Sequence, residues 1–158
     1  QLDPHNIPVL AKAVEKKLCE LDQSNCAYYG TNLENFLSLW NTKLKEWDKD
    51  FEKLRGTRVI EYHKLYDYLL NRYGMVLVGT LEPLPGIPPT ATHIEELLKT
   101  AQKVKYILQD VYHEKRTAQF VAKKLNAKMV VLPHDVGALP EAKDLFSLFD
   151  EIVRRLSQ

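Results

Sequence analysis

Histidine and carboxylate side chains follow directly after several short apolar segments of this 158-residue sequence. They are His63, Glu82, Asp110, His113, His134 and Asp135. Neutral imidazole and carboxylate are ligands suited to Zn²⁺, and sets rich in histidine favour zinc over Mn²⁺ or Mg²⁺. No local HxxxH or CxxC motif holds these residues together, so only the fold could do so. A histidine in such a position can equally be a hydrogen-bonded surface residue, and the pattern leaves both interpretations open.

The individual histidines differ in how well they fit a ligand role. His63 stands in "RVIEYHKLYDYLLNRYG", where an apolar run gives way to a helical pattern. His134 has Asp135 beside it in "LPHDVG", which makes this pair a slightly stronger candidate. His113 lies in what looks like the start of a helix and is a weaker candidate. His93 lies in "THIEELL", whose TxxE spacing is typical of a capping box, and we expect no ligand role for it.

Composition and absent motifs exclude several other functions. The 22 basic and 21 acidic residues give a net charge of +1 and form no basic stripe, so no nucleic-acid partner is expected. Apolar runs such as "MVVLP" are far too short to span a bilayer. The sequence contains no GxGxxG, GxxxxGKS/T or GxSxG motif, which removes the commonest nucleotide-binding and acyl-transfer sites.

The second part of the chain predicts an α/β fold. Four apolar segments are typical of buried strands: "RVIEY", "MVLVGTL", "VKYIL" and "KMVVL". Helical patterns follow them at about residues 64–73, 92–102, 114–125 and 143–156. This alternation predicts a four-stranded, mostly parallel sheet flanked by helices. The carboxyl ends of parallel strands meet at one edge, where ligands collect, so the histidines and carboxylates above would share one rim.

The first part of the chain predicts helices that precede this sheet. Apolar residues spaced by three or four from Ile7 to Leu21 indicate an amphipathic helix. A second series runs from Leu33 to Leu54, in an uninterrupted stretch of about 27 residues that would be roughly 40 Å long. A helix of this length often connects two domains.

The two cysteines, Cys19 and Cys26, lie in "LCELDQSNC", between the ends of the two predicted helices. A disulfide across this short turn is sterically plausible and would stabilise the fold by roughly 2–3 kcal/mol. It would also imply an oxidising compartment. Two unpaired, partly buried thiols are the alternative, and the sequence leaves both open.

Several longer segments resemble a known family. "DPHNIPVLAKAVEKKL" and "VIEYHKLYDYLLNRYG" are similar to segments of the metal-binding subunits of ABC importers for zinc and manganese. "LEPLPGIPPTATHIEELL" and "KMVVLPHDVGALPEAKDLFSLFDEIVRRL" resemble later segments of the same family, most closely in its zinc-type members. The resemblance covers essentially the whole chain.

The resemblance implies two α/β lobes joined by one long, rather rigid helix, with a metal ion held in the cleft between the lobes. On this basis residues 1–25 are the last helix of a first lobe, and residues 26–55 are the linker helix. Residues 56–158 are then the complete metal-binding second lobe. The rest of the first lobe, with its signal or lipid-anchor segment, is expected to precede Gln1.

Individual residues of this sequence match the positions of the family's metal ligands. His5 matches the histidine of "DPH", and His63 matches the ligand that follows the first strand of the second lobe. His134 falls where a carboxylate usually stands, with Asp135 beside it, so the expected last ligand is His134, Asp135 or water. Without its first lobe the chain is expected to bind metal weakly or through neighbouring chains, as an oligomer or a domain-swapped assembly.

The function that the resemblance implies is capture and not catalysis. The expected protein binds Zn²⁺ in the periplasm or at the extracytoplasmic face of the membrane and delivers it to an ABC-type permease. A manganese- or iron-binding protein of the same fold is one alternative, disfavoured because histidine occupies both second-lobe ligand positions. A chelatase-like metal-dependent α/β enzyme and an interaction module with incidental histidines are the others.

Overall fold

The computed structural model describes residues 2–157. The helices are α1 (Ile7–Leu21), α2 (Cys26–Glu52), α3 (Asp67–Tyr73), α4 (Ala91–Thr100), α5 (Arg116–Leu125) and α6 (Leu145–Leu156). The strands are β1 (Arg58–Glu61), β2 (Val76–Thr80), β3 (Val104–Gln109) and β4 (Lys128–Val131). All the predicted helices and strands are therefore present, with ends shifted by a few residues. No helix within residues 2–157 is long and apolar enough to cross a lipid bilayer.

The four strands form one sheet in the order β2-β1-β3-β4. The predicted α/β class is confirmed, and all three strand pairs are parallel. The chain passes from β1 outward to β2 and then returns across β1 to reach β3. This reversal creates a topological switch point between β1 and β3, and open α/β sheets bind ligands at the carboxyl ends of the strands beside such a point.

Helices cover both faces of the sheet because its strands carry apolar side chains on both sides. Val59 of β1 lies in one core and the next residue, Ile60, lies in the other, as the alternation of side chains along a strand requires. Helices α2, α3 and α6 cover the first face, and α4 and α5 cover the second. The largest fully buried side chains of the first core are Trp40, Trp47, Tyr66, Phe51 and Phe149.

The long helix α2 belongs partly to this core. Trp40 donates its indole N–H to the carbonyl oxygen of Pro4 at 2.9 Å, and Trp47 donates to Asp150 of α6 at 2.8 Å. The second half of α2 is thus packed against the lobe that contains the sheet, whereas its first half lies along α1. The helix spans Cys26–Glu52, close to the predicted 26–55.

The turn between α1 and α2 is closed by a covalent bond. Cys19, near the end of α1, and Cys26, the first residue of α2, are joined by a disulfide. Of the two alternatives that the sequence left open, the disulfide is the one present.

The start of α4 differs from the sequence pattern. The helix begins at Ala91, and its N-cap is Thr90, whose hydroxyl oxygen accepts a hydrogen bond from the backbone N–H of His93. The predicted capping box beginning at Thr92 is therefore wrong, because Thr92 already lies inside the helix. His93 lies in the first turn of α4, and its Nε2 lies 2.8 Å from the carbonyl oxygen of Thr80.

Candidate metal centre

Three loops meet at the carboxyl edge of the sheet, beside the switch point. His63 follows β1, Glu82 follows β2, and His113 lies in the loop between β3 and α5. Backbone hydrogen bonds extend the strand pairing into these loops: Tyr62 N–H donates to Leu108, and Glu82 N–H donates to Tyr62. The strands therefore set the positions of all three loops before any side chain is considered.

The side chains of His63, Glu82 and His113 form one compact group. Nδ1 of His63 lies 2.5 Å from one carboxylate oxygen of Glu82, and Nε2 of His113 lies 3.4 Å from the other. The ligand atoms of all three residues lie within 4.8 Å of one another. Ligands of tetrahedral zinc, bound at about 2.0–2.1 Å, are separated by roughly 3.4 Å, so small side-chain movements would suffice to hold the ion.

Asp110 fixes the orientation of His113. One of its carboxylate oxygens accepts from the backbone N–H groups of Tyr112 and His113, and the other lies 2.8 Å from Nδ1 of His113. Burial opposes ionisation of Asp110, but the two backbone donors and the His113 ring outweigh it and lower the pKa of this carboxyl. Because Asp110 holds Nδ1, Nε2 is the ring nitrogen of His113 that faces Glu82 and would ligate an ion, the arrangement in which carboxylates orient metal-ligating histidines.

Glu82 is the most deeply buried member of the group, with 5% of its side chain exposed. Thr80 donates its hydroxyl to the Glu82 carbonyl oxygen, which tightens the chain at the end of β2. The Gly86 backbone N–H lies 3.4 Å from the carboxylate that also contacts His63. The Pro-rich loop after β2 thus helps to hold this carboxylate against the ring nitrogens of the two histidines.

Aromatic stacking orders the rings at the rim. The rings of His63 and His113 are stacked, with centroids 5.6 Å apart, and Tyr62 also stacks on His113, at 4.7 Å. Both imidazoles remain partly exposed, at 26% and 36%. The group is therefore ordered by packing and still open to an ion arriving from solvent.

Glu61, the last residue of β1, is a further buried carboxyl close to the rim. It accepts a hydrogen bond from the backbone N–H of Leu65. Burial, and then the nearby charge of Asp67, raise the pKa of Glu61 to about 7. Its carboxyl therefore gains a proton in a pH range where ordinary glutamates remain ionised.

His134 and Asp135 lie on the same rim, after β4, but outside this group. The ring of His134 meets the edge of Tyr112 at 5.1 Å, in the same loop as His113. Asp135 is exposed and accepts a hydrogen bond from the backbone N–H of Val136. His134 and Asp135 therefore lie near the group of His63, Glu82 and His113, but their side chains do not belong to it.

His5 lies in a different environment. Its Nε2 is 2.8 Å from Asp48 of α2, and the same carboxylate oxygen accepts the hydroxyl of Tyr73. These side chains line an open cavity of about 310 Å³ beside α2. Among residues 2–157, His5 belongs to no group of three potential ligands, so its role as a metal ligand stays a prediction.

Glu82 and His113 are the members of the cluster that ligand assignment from the sequence passed over. Both follow predicted strands in the sequence, but the pattern around His113 is typical of a helix start, which makes this residue a weak ligand candidate. Helix α5 begins only at Arg116, which leaves His113 in the loop. The rule that side chains following parallel strands meet at one edge was the signal that could have identified both.

A family model described as "ZnuA: Zinc-uptake complex component A periplasmic" matches residues 1–158. The high-affinity zinc uptake system protein ZnuA of Brucella abortus is 25% identical over 158 residues, which are 99% of this chain and 46% of the relative. The chain thus spans about half the length of the curated relatives it matches.

Solved structures share the fold at low sequence identity. A crystal structure of ZnuA matches with a TM-score of 0.81 and 22% identity, over 99% of this chain and 59% of the other. A cadmium-bound periplasmic metal binding protein from Candidatus Liberibacter asiaticus matches with a TM-score of 0.83 and 18% identity, over 99% and 61%. A manganese-bound form of that protein gives the same TM-score and identity, over 99% and 60%.

Proposed function

The chain belongs to the ZnuA family of periplasmic zinc-uptake components, and from this premise we propose that it captures Zn²⁺ at the rim formed by His63, Glu82 and His113. The captured ion would be handed to an ABC-type membrane permease, and the site of action would be the periplasm. Binding and release are the whole of this function, with no chemical step. The chain spans about half the length of its curated relatives. We propose that residues 1–25 are the end of a first lobe and that residues 26–55 are the linker helix. Residues 56–158 would then be the second lobe.

One observation carries the proposal: two imidazoles and one carboxylate converge at a topological switch point. Their ligand atoms lie within 4.8 Å of one another, and one carboxylate contacts both rings. Two nitrogen donors with one oxygen donor form a ligand set typical of zinc sites that keep an open coordination position. An open position suits a protein that must both load and release its ion.

His134, Asp135 and His5 are proposed as additional ligands. The position of His134 on the same rim supports a role for it, or for Asp135, in completing the coordination after a loop movement. His5 would reach the ion only if it left its contact with Asp48. In this 158-residue chain we therefore expect the rim to supply most of the affinity.

The carboxylate of Glu82 favours one second candidate, a manganese-binding protein of the same fold. Carboxylate oxygens suit Mn²⁺ better than imidazole does, and this set contains only one of them. The two imidazole nitrogens of the set favour zinc over manganese. A competition titration with the two ions distinguishes the two proposals. Preference for Mn²⁺ over Zn²⁺ at equal concentration would overturn the zinc assignment.

Calorimetric titration of the metal-free chain with Zn²⁺ at neutral pH tests the proposed site. His63→Ala and His113→Ala are each expected to weaken binding by a factor of about ten or more, which corresponds to about 1.4 kcal/mol. His93→Gln is the matched control, because its amide can still donate to the Thr80 carbonyl oxygen and the residue lies outside the cluster. Unchanged affinity in both alanine variants would exclude the rim as the metal site.

A further inference from the structure

We infer that the chain contains a second, redox-controlled metal site formed by Glu15, Cys19 and Cys26. In the oxidised protein the two sulfurs are joined and cannot act as thiolate ligands. When a dithiol reductant opens the disulfide, the two thiolates and the Glu15 carboxylate bind one soft divalent cation such as Zn²⁺. The site lies at the α1–α2 turn and does not depend on the rim proposed above.

The three side chains already converge. Glu15 and Cys19 are four residues apart on α1 and therefore lie on the same face, and Cys26 begins α2 directly opposite. Oε1 of Glu15 lies 3.3 Å from Sγ of Cys19, and the ligand atoms of all three residues lie within 4.8 Å. All three side chains are partly exposed, so an ion has access from solvent.

The turn that carries the cysteines is held by more than the disulfide. The carboxylate of Asp22 accepts hydrogen bonds from the side chains of Ser24, Asn25 and Tyr29, each at 2.8 Å. The Asp22 backbone N–H also continues α1 by donating to Leu18. Because these bonds do not involve sulfur, reduction leaves both cysteines at the same turn with their side chains still facing each other.

The chemistry of reduction balances without any other component. The two thiols of the reductant become its own disulfide, while the Cys19–Cys26 bond breaks and each sulfur receives one proton. The metal ion then displaces both protons, which buffer takes up.

Two thiolates and one carboxylate form a ligand set suited to Zn²⁺, with a fourth position left for water. Zinc–sulfur bonds of about 2.3 Å require the sulfurs to move apart from their bonded position, and a short turn between two helix ends allows this. While the disulfide is intact, these ligands therefore cannot compete with the rim for zinc.

Metal titration before and after reduction tests the inference. The full chain is reduced with a phosphine, since a dithiol would itself bind metal, and the phosphine is removed before titration with Co²⁺. The reduced chain should show an intense sulfur-to-cobalt charge-transfer band that is complete by two equivalents, one for this site and one for the rim, and the oxidised chain should show none. Zn²⁺ added in one equivalent per site should remove this band.

Variants assign the ligands. The double variant Cys19→Ser with Cys26→Ser should lack the band. Glu15→Gln should lower the affinity of the reduced site for Co²⁺ by about tenfold, or about 1.4 kcal/mol. Glu20→Gln is the matched control, because Glu20 is on the same helix and pairs with Lys17. A His63→Ala and His113→Ala double variant should keep the full band, which separates this site from the rim.

Any of three results would overturn the inference. The first is a reduced chain of unchanged helicity that shows no charge-transfer band with Co²⁺. The second is a loss of helicity on reduction, because the site requires the Asp22 turn to persist without the disulfide. A band that is identical in Glu15→Gln and the unchanged chain would remove the carboxylate from the ligand set.

Discussion

Two regions of this molecule each place a histidine against a carboxylate, and they differ in what surrounds the pair. At the rim, Glu82 is 5% exposed and contacts two imidazoles, one on each oxygen. On α2, Asp48 is 40% exposed and contacts one imidazole, that of His5, while the hydroxyl of Tyr73 donates to the same carboxylate oxygen. Only the first arrangement directs several ligand atoms at one point.

The difference teaches that a histidine–carboxylate contact alone does not make a metal site. Metal ligation needs three or more donors whose lone pairs converge, and a carboxylate satisfied by a neutral hydroxyl has less capacity left for an ion. The rim gains its convergence from the sheet, since adjacent parallel strands end side by side. In the His5 region two helices, α2 and α3, meet one loop, and this geometry brings a single imidazole to the carboxylate.

Removing both rim imidazoles should have the largest effect. The variant with His63→Ala and His113→Ala is expected to lose Zn²⁺ affinity by about a hundredfold or more, or roughly 2.7 kcal/mol, because two of three donors are absent. Isothermal titration calorimetry at neutral pH measures it, and circular dichroism checks that the fold is retained. A loss smaller than about tenfold would place the main site elsewhere and remove the contrast between the two regions.

Glu61 should make the stability of the rim depend on pH. Its folded pKa of about 7 exceeds the ordinary value of 4.5, so the folded state holds this proton more tightly than the unfolded state does. The resulting stabilisation is complete below about pH 4.5 and is lost as the pH rises through 7.

Glu61→Gln, which cannot ionise, should therefore remove this dependence and stabilise the chain at pH 8 by about 1–3 kcal/mol relative to the unchanged protein. Urea unfolding at pH 5 and pH 8, with a chelator present, gives both free energies. Equal stability of the two proteins at pH 8 would show that Glu61 ionises there without penalty.

Asp110→Asn should have an intermediate effect, about tenfold on Zn²⁺ affinity. The asparagine oxygen can still accept from the backbone of Tyr112 and His113, but its NH₂ group then faces Nδ1 of His113. Nδ1 would have to accept, which moves the ring proton to Nε2 and blocks the atom that faces Glu82. Calorimetry in two buffers of different ionisation enthalpy would also show a changed proton release, which a purely structural loss would not produce.

His5→Ala should have the smallest effect in this chain, less than about threefold on Zn²⁺ affinity, or about 0.7 kcal/mol. Its ring is held by Asp48, and the rim contains the convergent donors. The same titration as for the rim variants makes the measurement directly comparable. A tenfold loss would mean that His5 leaves Asp48 to bind the ion, and the two regions would then form one site.

Much of the fold could be predicted from the sequence because the signals are local. The apolar residues of α2 recur at helical spacing, and the buried strands are short apolar runs bounded by polar turns, so their type follows from the pattern. Helix starts are harder to predict from a pattern, since each depends on one side chain accepting a hydrogen bond from one backbone N–H. Thr90, and not Thr92, caps α4 for this reason.

The candidate site could be predicted only to the level of the rim. Residues that follow parallel strands lie at one edge of the sheet, which predicts that His63, Glu82 and His113 share that edge. This rule does not predict which of the six polar side chains there converge. That choice depended on the order β2-β1-β3-β4, which makes the three loops neighbours and leaves the His134 loop one strand farther out.

The sequence by itself determined the α/β class, the long helix and the position of polar residues at strand ends, because each of these follows from periodicity within a short stretch. The tertiary structure alone decided that Glu82 would lie between two imidazoles, that Asp110 would orient one of them, and that Cys19 would meet Cys26. The Glu82 contacts join loops that follow three different strands and the disulfide joins two helices, whereas Asp110 and His113 share one loop. Their geometry is set by the packing of a buried sheet and of paired helices, which no local pattern encodes.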